Sequence, residues 1–212
     1  MRLMMIKKMI LLFWVLTSIS FAHAETAVKI SPDVFVQNVV QDIITSLKSD
    51  PALVQSHEKL STYVDTKVMT NFDIAFMAKQ IVGQQAFAAA TESDLTHLND
   101  ELKLFYVHMF TKTLSEFKDQ TVKFSPFEGS PEADDATVNG QLLDPSDETV
   151  SFNFRLNRTP AGWKVVNISV GGIDLIKTYQ SNFKSILRDG GVAKLVDELH
   201  KKNLALAAIK SK

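Results

Sequence analysis

The fold is decided by residues 162–183, which read GWKVVNISVGGIDLIKTYQSNF. Every second residue from Val166 to Val170 is apolar, which predicts a β-strand with one buried face. The pair Gly171-Gly172 then ends the strand. From Leu175 to Phe183 the apolar residues recur every three or four positions, which predicts one stripe of an amphipathic helix. One apolar surface therefore continues from a sheet into a helix.

Three more alternating runs precede this strand, at residues 122–124, 138–142 and 150–156. Segments rich in Gly, Pro, Asp and Asn separate the runs and are typical of turns. The sequence thus predicts a four-stranded antiparallel sheet with a polar, solvated face and an apolar face covered by helices. The expected apolar face consists of Val122, Phe124, Val138, Gly140, Leu142, Val150, Phe152, Phe154, Leu156, Val166, Ile168 and Val170.

Helices are predicted on both sides of the strands in the chain. Ser31-Pro32-Asp33 and Asp50-Pro51 are typical helix starts. Short linked helices from Asn71 or Asp73 to Ala90 are interrupted at Gly83, and a long helix capped by Thr91 or Ser93 follows. The helix that begins near Leu175 stops at Gly190-Gly191, and a last helix follows it. Helices, a four-strand meander and helices again indicate an α+β fold.

The first 24 residues have the composition of an export signal. Basic residues at the start precede an apolar run, 9–21, and the small residues of Ala22-His23-Ala24 form a cleavage motif. We expect cleavage before Glu25, which leaves residues 25–212 as one domain. An uncleaved membrane anchor is the alternative reading of this segment.

Composition narrows the range of partners. Removal of the signal leaves 20 Lys and Arg against 24 Asp and Glu, a net charge of −4. A mildly acidic chain without a basic block argues against nucleic acid. The absence of cysteine excludes disulfides and a lipid anchor on a thiol. We expect a soluble, exported protein that is held together by packing alone.

Catalytic groups are scarce in this pattern. None of the predicted sheet-face residues can donate or accept a proton, and the helices offer only scattered candidates. No nucleophile motif, phosphate-binding glycine loop or zinc spacing occurs. We therefore expect no enzyme, no metal site and no cofactor. The candidates that deserve a structural check are Asp65, Asp73, His97, His108 and Tyr179.

Specific motifs resemble one family. The strongest match runs from Gly162-Trp163-Lys164-Val165 through Gly172-Ile173-Asp174-Leu175-Ile176 to Tyr179-Gln180-Ser181-Asn182-Phe183, and Gly190-Gly191 closes it. Weaker matches occur at Tyr63-Val64-Asp65, Phe72-Asp73 with Ala75 to Met77, and Ala90-Thr91. The whole mature chain thus resembles the MlaC / toluene-tolerance family. It departs from the family pattern at Asp174, Gln180 and Phe87, where Ser, Arg and Trp are usual, and these departures affect expectations about partner contacts.

The resemblance implies a periplasmic phospholipid-binding protein of the Mla pathway of Gram-negative bacteria, with phospholipid as its cargo. It implies an NTF2-like cone with a lipid pocket between sheet and helices, and a monomer. The implied partners are an outer-membrane lipoprotein complex and an inner-membrane ABC transporter with a lipid-binding ring domain. The implied role is to shuttle phospholipid between them and so maintain outer-membrane lipid asymmetry.

Alternation and helical stripes give a set of expected lipid-contacting side chains. A ketosteroid-isomerase-like enzyme with Asp73 or His108 as base is an alternative, as is a periplasmic chaperone or adaptor with a filled core. The apolar pattern alone does not separate a carrier from a filled core. The expected pocket residues are Phe76, Met77, Phe105, Met109, Leu142, Phe152, Phe154, Val166, Ile168, Val170, Leu175, Tyr179 and Phe183.

Overall fold

The computed structural model describes residues 30–118, 120–130, 132–143 and 149–209. The predicted export signal lies outside these residues. The predicted order of helices, sheet and helices is confirmed. Within the described ranges, no helix combines the length and the apolar character that crossing a bilayer requires.

The described residues form six α-helices and a sheet of five strands. The helices are α1 (Pro32–Ser49), α2 (Pro51–Gln55), α3 (His57–Tyr63), α4 (Ile74–Ala89), α5 (Glu92–Ser115) and α6 (Leu175–Ile209), with a π-helical turn at Val64–Val68 and a 3-10 turn at Met69–Asn71. The strands are β1 (Thr121–Phe124), β2 (Asp135–Leu143), β3 (Thr149–Thr159), β4 (Gly162–Val170) and β5 (Ile173–Asp174).

Side-chain caps explain where several helices begin. The carboxylate of Asp50 accepts a hydrogen bond from the Ala52 amide at 3.0 Å, at the start of α2. Asp73 caps α4 in the same way. Thr91 and Asp94 form a reciprocal capping box at the start of α5. Each cap satisfies backbone donors that the first helical turn leaves without partners, so the predicted helix starts at these positions are confirmed.

Glycines break two of the helices where the sequence predicts a stop. Gly83 interrupts α4 with φ of 77°. Gly190 and Gly191 interrupt α6, and Gly191 has φ of 65°. A residue with a Cβ atom is strained in this left-handed conformation, which glycine adopts readily. Consequently α6 consists of two helical arms, before and after the glycine pair.

The sheet runs in the order β1-β2-β3-β4-β5, and all neighbouring strands are antiparallel. The predicted number of four strands is wrong by one, because the glycine pair forms a hairpin rather than a simple stop. Gly171 and Gly172 have φ of 57° and 81°, as a two-residue turn requires. The chain therefore folds back, and Ile173 pairs with Val170 in the short strand β5.

The strict alternation predicted for β4 is also interrupted. Asn167 pairs with Arg155 and Val165 pairs with Leu156, so Val166 is an extra residue in a β-bulge. Val165 therefore occupies the position beside Leu156 in the buried cluster on the sheet face. The prediction that left Val165 off the apolar face is therefore wrong, because a period-two pattern cannot reveal an inserted valine beside another valine.

Helix α1 packs on the apolar face of the sheet. Its buried Val36 joins a cluster with Ala136, Val138, Leu156, Trp163 and Val165. The indole Nε1 of Trp163 donates to the carbonyl of Ile30 at 2.9 Å and so ties the segment that precedes α1 to β4. This end of the face is sealed.

Helices α4, α5 and α6 form a separate, larger apolar cluster. It joins the sheet at the edge of β4, where Phe72 forms a parallel bridge with Val165 and the Asp73 amide donates to the Val165 carbonyl at 3.0 Å. Phe72 packs against both the helical cluster and the sheet-face cluster. Among the described residues, the helical cluster and the sheet-face cluster thus meet at one phenylalanine.

Candidate functional site

The apolar face of the sheet changes from sealed to open along the strands. Paired residues on antiparallel strands share a face, so the register defines rows across the sheet. The row Ala136, Leu156 and Val165 is buried beneath α1. The next row begins with the buried Val138 but continues with Phe154 and Ile168, which are only partly buried.

The following row crosses all five strands, and we call it the open row. Val170 is 49% exposed and Ile173 is 69% exposed, although both are large aliphatic residues. Neighbouring aliphatic side chains that are exposed together form an apolar patch, a feature that often marks a binding surface. The open row consists of Phe124, Gly140, Phe152, Val170 and Ile173.

Three phenylalanines line the β1–β3 side of this face. The ring of Phe152 lies 5.6 Å from the ring of Phe124 and 5.5 Å from that of Phe154, in both cases edge to face. Such geometry is favoured by the aromatic quadrupole. Beyond the open row, Val122, Leu142 and Val150 form a further half-buried row. The apolar face therefore continues towards this end of the sheet without being sealed.

The predicted pocket residues on the helices lie in the helical cluster. Met77, Phe105 and Phe183 are buried there, and Met109, Leu175 and Tyr179 pack against them. Phe76 is half-buried at the start of α4. The structure thus places the predicted residues in two groups, one on the sheet face and one among the helices, rather than in one continuous ring.

Tyr179 is the centre of an aromatic group in the helical cluster. Its ring stands edge-on to Phe105 and stacks on Phe183, with centroids 5.4 Å apart in both cases. Its hydroxyl donates to the Sδ atom of Met109 at 3.7 Å, a weak hydrogen bond. Burial raises the pKa of Tyr179 above its ordinary value, so this phenol stays protonated at neutral pH.

Tyr106 lies behind this group and is not among the expected pocket residues. It has no exposed surface, and its hydroxyl finds no hydrogen-bond partner among the residues that the structure describes. Burial, with a smaller effect of Tyr179, raises the pKa of Tyr106 far above its ordinary value. The apolar run at residues 104–110, interrupted by His108, is the sequence signal that α5 is buried on several sides here.

The candidate catalytic residues are dispersed. An oxygen of Asp73 accepts a hydrogen bond from the Phe76 amide at 2.9 Å, which is the capping role. Asp65 pairs with Lys103 at 2.6 Å on the surface. His97 is exposed, whereas His108 is buried on the same helix. Across the part of the chain that the structure describes, no three metal-ligating side chains come together.

Several grooves surround the two clusters. One of about 850 Å³ lies between α4 and α6, where both helices are broken by glycine. A second, of about 590 Å³, lies between the two arms of α6 and is lined by Tyr179 and Phe183. A third, of about 370 Å³, lies between α1 and β1 and reaches the open row at Phe124.

These features define the class of the protein: an α+β fold in which an antiparallel meander presents an apolar face that one helix covers only in part. The model of the family described as MlaC protein matches residues 37–201, and the chain belongs to that family. The resemblance seen in the sequence motifs is therefore confirmed.

A solved structure has the same fold. It is the phospholipid-binding protein from Ralstonia solanacearum, determined in complex with a phospholipid. The two chains are 27% identical and superpose with a TM-score of 0.77, over 84% of this chain and 99% of the Ralstonia chain. The match thus extends over nearly the whole of the Ralstonia protein.

Proposed function

We propose that the protein binds a phospholipid and carries it through the periplasm. The observation that carries this proposal is the open row, whose exposed aliphatic residues continue directly into a face that is otherwise a protein core. Membership of the MlaC family and the likeness to a phospholipid complex support the same ligand class. The acyl chains lie on the apolar face, and the headgroup stays near solvent.

The contacting side chains come from both apolar groups. On the sheet they are Leu142, Phe152, Phe154, Val166, Ile168 and Val170. On the helices they are Phe76, Met77, Phe105, Met109, Leu175, Tyr179 and Phe183. Among the described residues the two groups share Phe72, and in this proposal the acyl chains contact both groups in the loaded protein.

Magnitudes explain why such a carrier must exchange its cargo by docking. Burial of each methylene contributes about 0.8 kcal/mol, so two chains of about 15 methylenes represent roughly 24 kcal/mol of gross burial. Release of the lipid into water would lose all of this burial free energy. A bilayer or a second lipid-binding protein offers nearly the same burial, so the free energy of exchange stays near zero.

The donor and the acceptor in this proposal are an outer-membrane lipoprotein complex and an inner-membrane ABC transporter with a lipid-binding ring domain. Transfer between them maintains outer-membrane lipid asymmetry. The chain reaches the periplasm by its export signal, residues 1–24, and works as a monomer of residues 25–212. It needs neither a metal nor a cofactor, and it catalyses no covalent step.

The first experiment is native mass spectrometry of the full-length chain, exported by a Gram-negative host and purified from the periplasm without detergent. A measured mass equal to that of residues 25–212 plus one phospholipid supports export, cleavage before Glu25 and lipid binding together. A protein that stays lipid-free, even after incubation with phospholipid vesicles, contradicts the carrier proposal and favours an adaptor with a filled core.

A second measurement addresses the enzyme alternative. Wild-type protein and the Asp73→Ala and His108→Ala variants are incubated with phospholipid vesicles, and the lipids are analysed by mass spectrometry. The carrier proposal expects unchanged lipid in every sample. Lipid products that form with the wild type and disappear with either variant contradict it.

A further inference from the structure

Gly140 and Phe152 form a matched pair in the middle of the open row. They face each other across β2 and β3, and Gly140 is buried although it has no side chain. A Cβ atom on Gly140 would lie 2.6 Å from Cε2 of Phe152 and 2.8 Å from the carbonyl oxygen of Lys123. Glycine is therefore required because the Phe152 ring lies directly over the backbone of β2.

Three contacts fix the position of this ring. Phe124 holds it from the β1 side and Phe154 holds it from the sealed end, both edge to face. The backbone at Gly140 supports it from below. These contacts restrict the ring, which fills the β1–β2 half of the open row.

The other half of the face has no comparable filling. On β4 and β5 the row continues as Val170 and Ile173, which are both exposed, and Ile168 stands beside them in the next row. Val170 and Ile173 are shorter than phenylalanine and exposed, so a ligand can reach the surface above them. The face is thus divided lengthwise into a filled strip and an open strip.

We propose that the Phe152 ring, seated on Gly140, sets how many acyl chains the protein accepts. This inference rests on the proposed phospholipid carriage and names a determinant of its cargo class. With the ring in place, acyl chains have the open strip over β4 and β5. Removal of the ring exposes the backbone of Gly140 and so widens the apolar surface available to acyl chains by about the width of one strand. The Gly140–Phe152 pair therefore favours lipids with fewer acyl chains over lipids with more.

Competition between two lipids tests this inference. Wild-type protein and Phe152→Ala are exposed to vesicles containing equal amounts of phosphatidylglycerol and cardiolipin, which share a glycerophosphate headgroup but carry two and four chains. Native mass spectrometry then gives the ratio of the two bound lipids. We expect Phe152→Ala to raise the cardiolipin to phosphatidylglycerol ratio at least about fourfold, the change that one further buried methylene produces.

Two more substitutions keep the test decisive if the alanine variant folds poorly. Phe152→Leu is expected to raise the ratio less, and Phe152→Trp to lower it. Phe127→Ala is the matched control, because it deletes the same side chain where it packs against the sealed cluster. Its ratio is expected to equal that of the wild type.

The outcomes separate the two proposals. Wild-type protein that binds neither lipid contradicts phospholipid carriage itself. Wild-type protein that binds lipid while every folded Phe152 variant keeps its ratio overturns the inference about Phe152 alone. A shift of equal size in Phe127→Ala also overturns it, since the effect would then follow loss of packing rather than the width of the face.

Discussion

Asn167 and Asp174 are joined across the β4–β5 hairpin by a hydrogen bond of 2.8 Å from the amide Nδ2 to the carboxylate Oδ2. Asn167 is 2% exposed, and its Oδ1 accepts a hydrogen bond from the Ile176 amide at 3.2 Å. The other oxygen of Asp174 accepts from the Lys177 amide at 2.9 Å. One buried amide on β4 therefore fixes both the hairpin and the first turn of α6.

We expect Asn167→Ala to lower the free energy of unfolding by about 2–3 kcal/mol, because it leaves buried polar partners unsatisfied. Urea unfolding followed by circular dichroism measures this change. Asn139→Ala, at an exposed position of β2, is the matched control and should stay within about 0.5 kcal/mol of the wild type. Equal effects at the two sites would show that the buried amide has no special role.

Val170→Asp should abolish lipid binding without unfolding the protein. Val170 is already half exposed, so the substitution costs little folding free energy, but it places a carboxylate among apolar contacts, where desolvation is expensive. We expect at least a tenfold loss of bound phospholipid by native mass spectrometry. Leu204→Asp, at an exposed position of α6, should retain its lipid. A folded Val170→Asp protein that still binds its full amount of lipid would show that Val170 is not part of the proposed site.

Leu142→Asp and Ile168→Asp test the two neighbouring rows by the same measurement.

Tyr106→Phe should stabilise the protein by about 1 kcal/mol. The Tyr106 hydroxyl is buried and lacks a partner among the described residues, so its removal relieves a desolvation penalty and breaks no hydrogen bond. Tyr179→Phe, which removes only the weak contact to Met109, should change the free energy of unfolding by less than about 0.5 kcal/mol. A clear destabilisation by Tyr106→Phe would mean that the hydroxyl has a partner in solution.

Asp33 should make stability depend on acid pH. Burial raises the pKa of this carboxyl, but the nearby Ser31 hydroxyl and the Val34 and Phe127 amides, of which Phe127 donates a hydrogen bond of 3.5 Å, outweigh burial, so its pKa lies below the ordinary value of 3.8. The unfolded chain then binds the proton at a higher pH than the folded protein does. The stability due to Asp33 is therefore complete above 3.8 and is lost as the pH falls through the lower, folded pKa.

The test compares the unfolding free energies of wild-type protein and Asp33→Asn from about pH 6 to about pH 3. The difference between them should shrink at the acid end, because protonated Asp33 then resembles the uncharged variant. A difference that is constant over the whole range would show that the Asp33 charge does not contribute.

Most of the fold could be predicted from the sequence because helix starts and helix breaks depend on residues that are close together in the chain. Caps such as Asp50, Asp73 and Thr91, and breaks such as Gly83 and Gly191, act within one helical turn, so spacing and residue type are sufficient to find them. Strand β5 escaped prediction because two residues carry no periodicity. The bulge at Val166 was not predicted, because the register depends on how two strands pair and cannot be read from the sequence of one strand.

The candidate site was less predictable than the fold. Apolar alternation identifies Phe154 and Val170 as members of one face, but it cannot say which of them α1 covers. Exposure depends on where a helix from a distant part of the chain lies, and the contact of Trp163 with Ile30 that holds α1 in place spans most of the sequence. The division into a sealed and an open end thus arises only at the level of packing.

The same division separates the residues that hold the protein together from those that are free to change. Substitution in the buried row of Ala136, Leu156 and Val165 creates cavities or clashes, whereas substitution at Val170 or Ile173 removes little that was buried during folding. The apolar surface can therefore be altered at its open end, by natural variation or by design, with little loss of thermal stability. A library restricted to these two positions would sample ligand preference on a scaffold that stays intact.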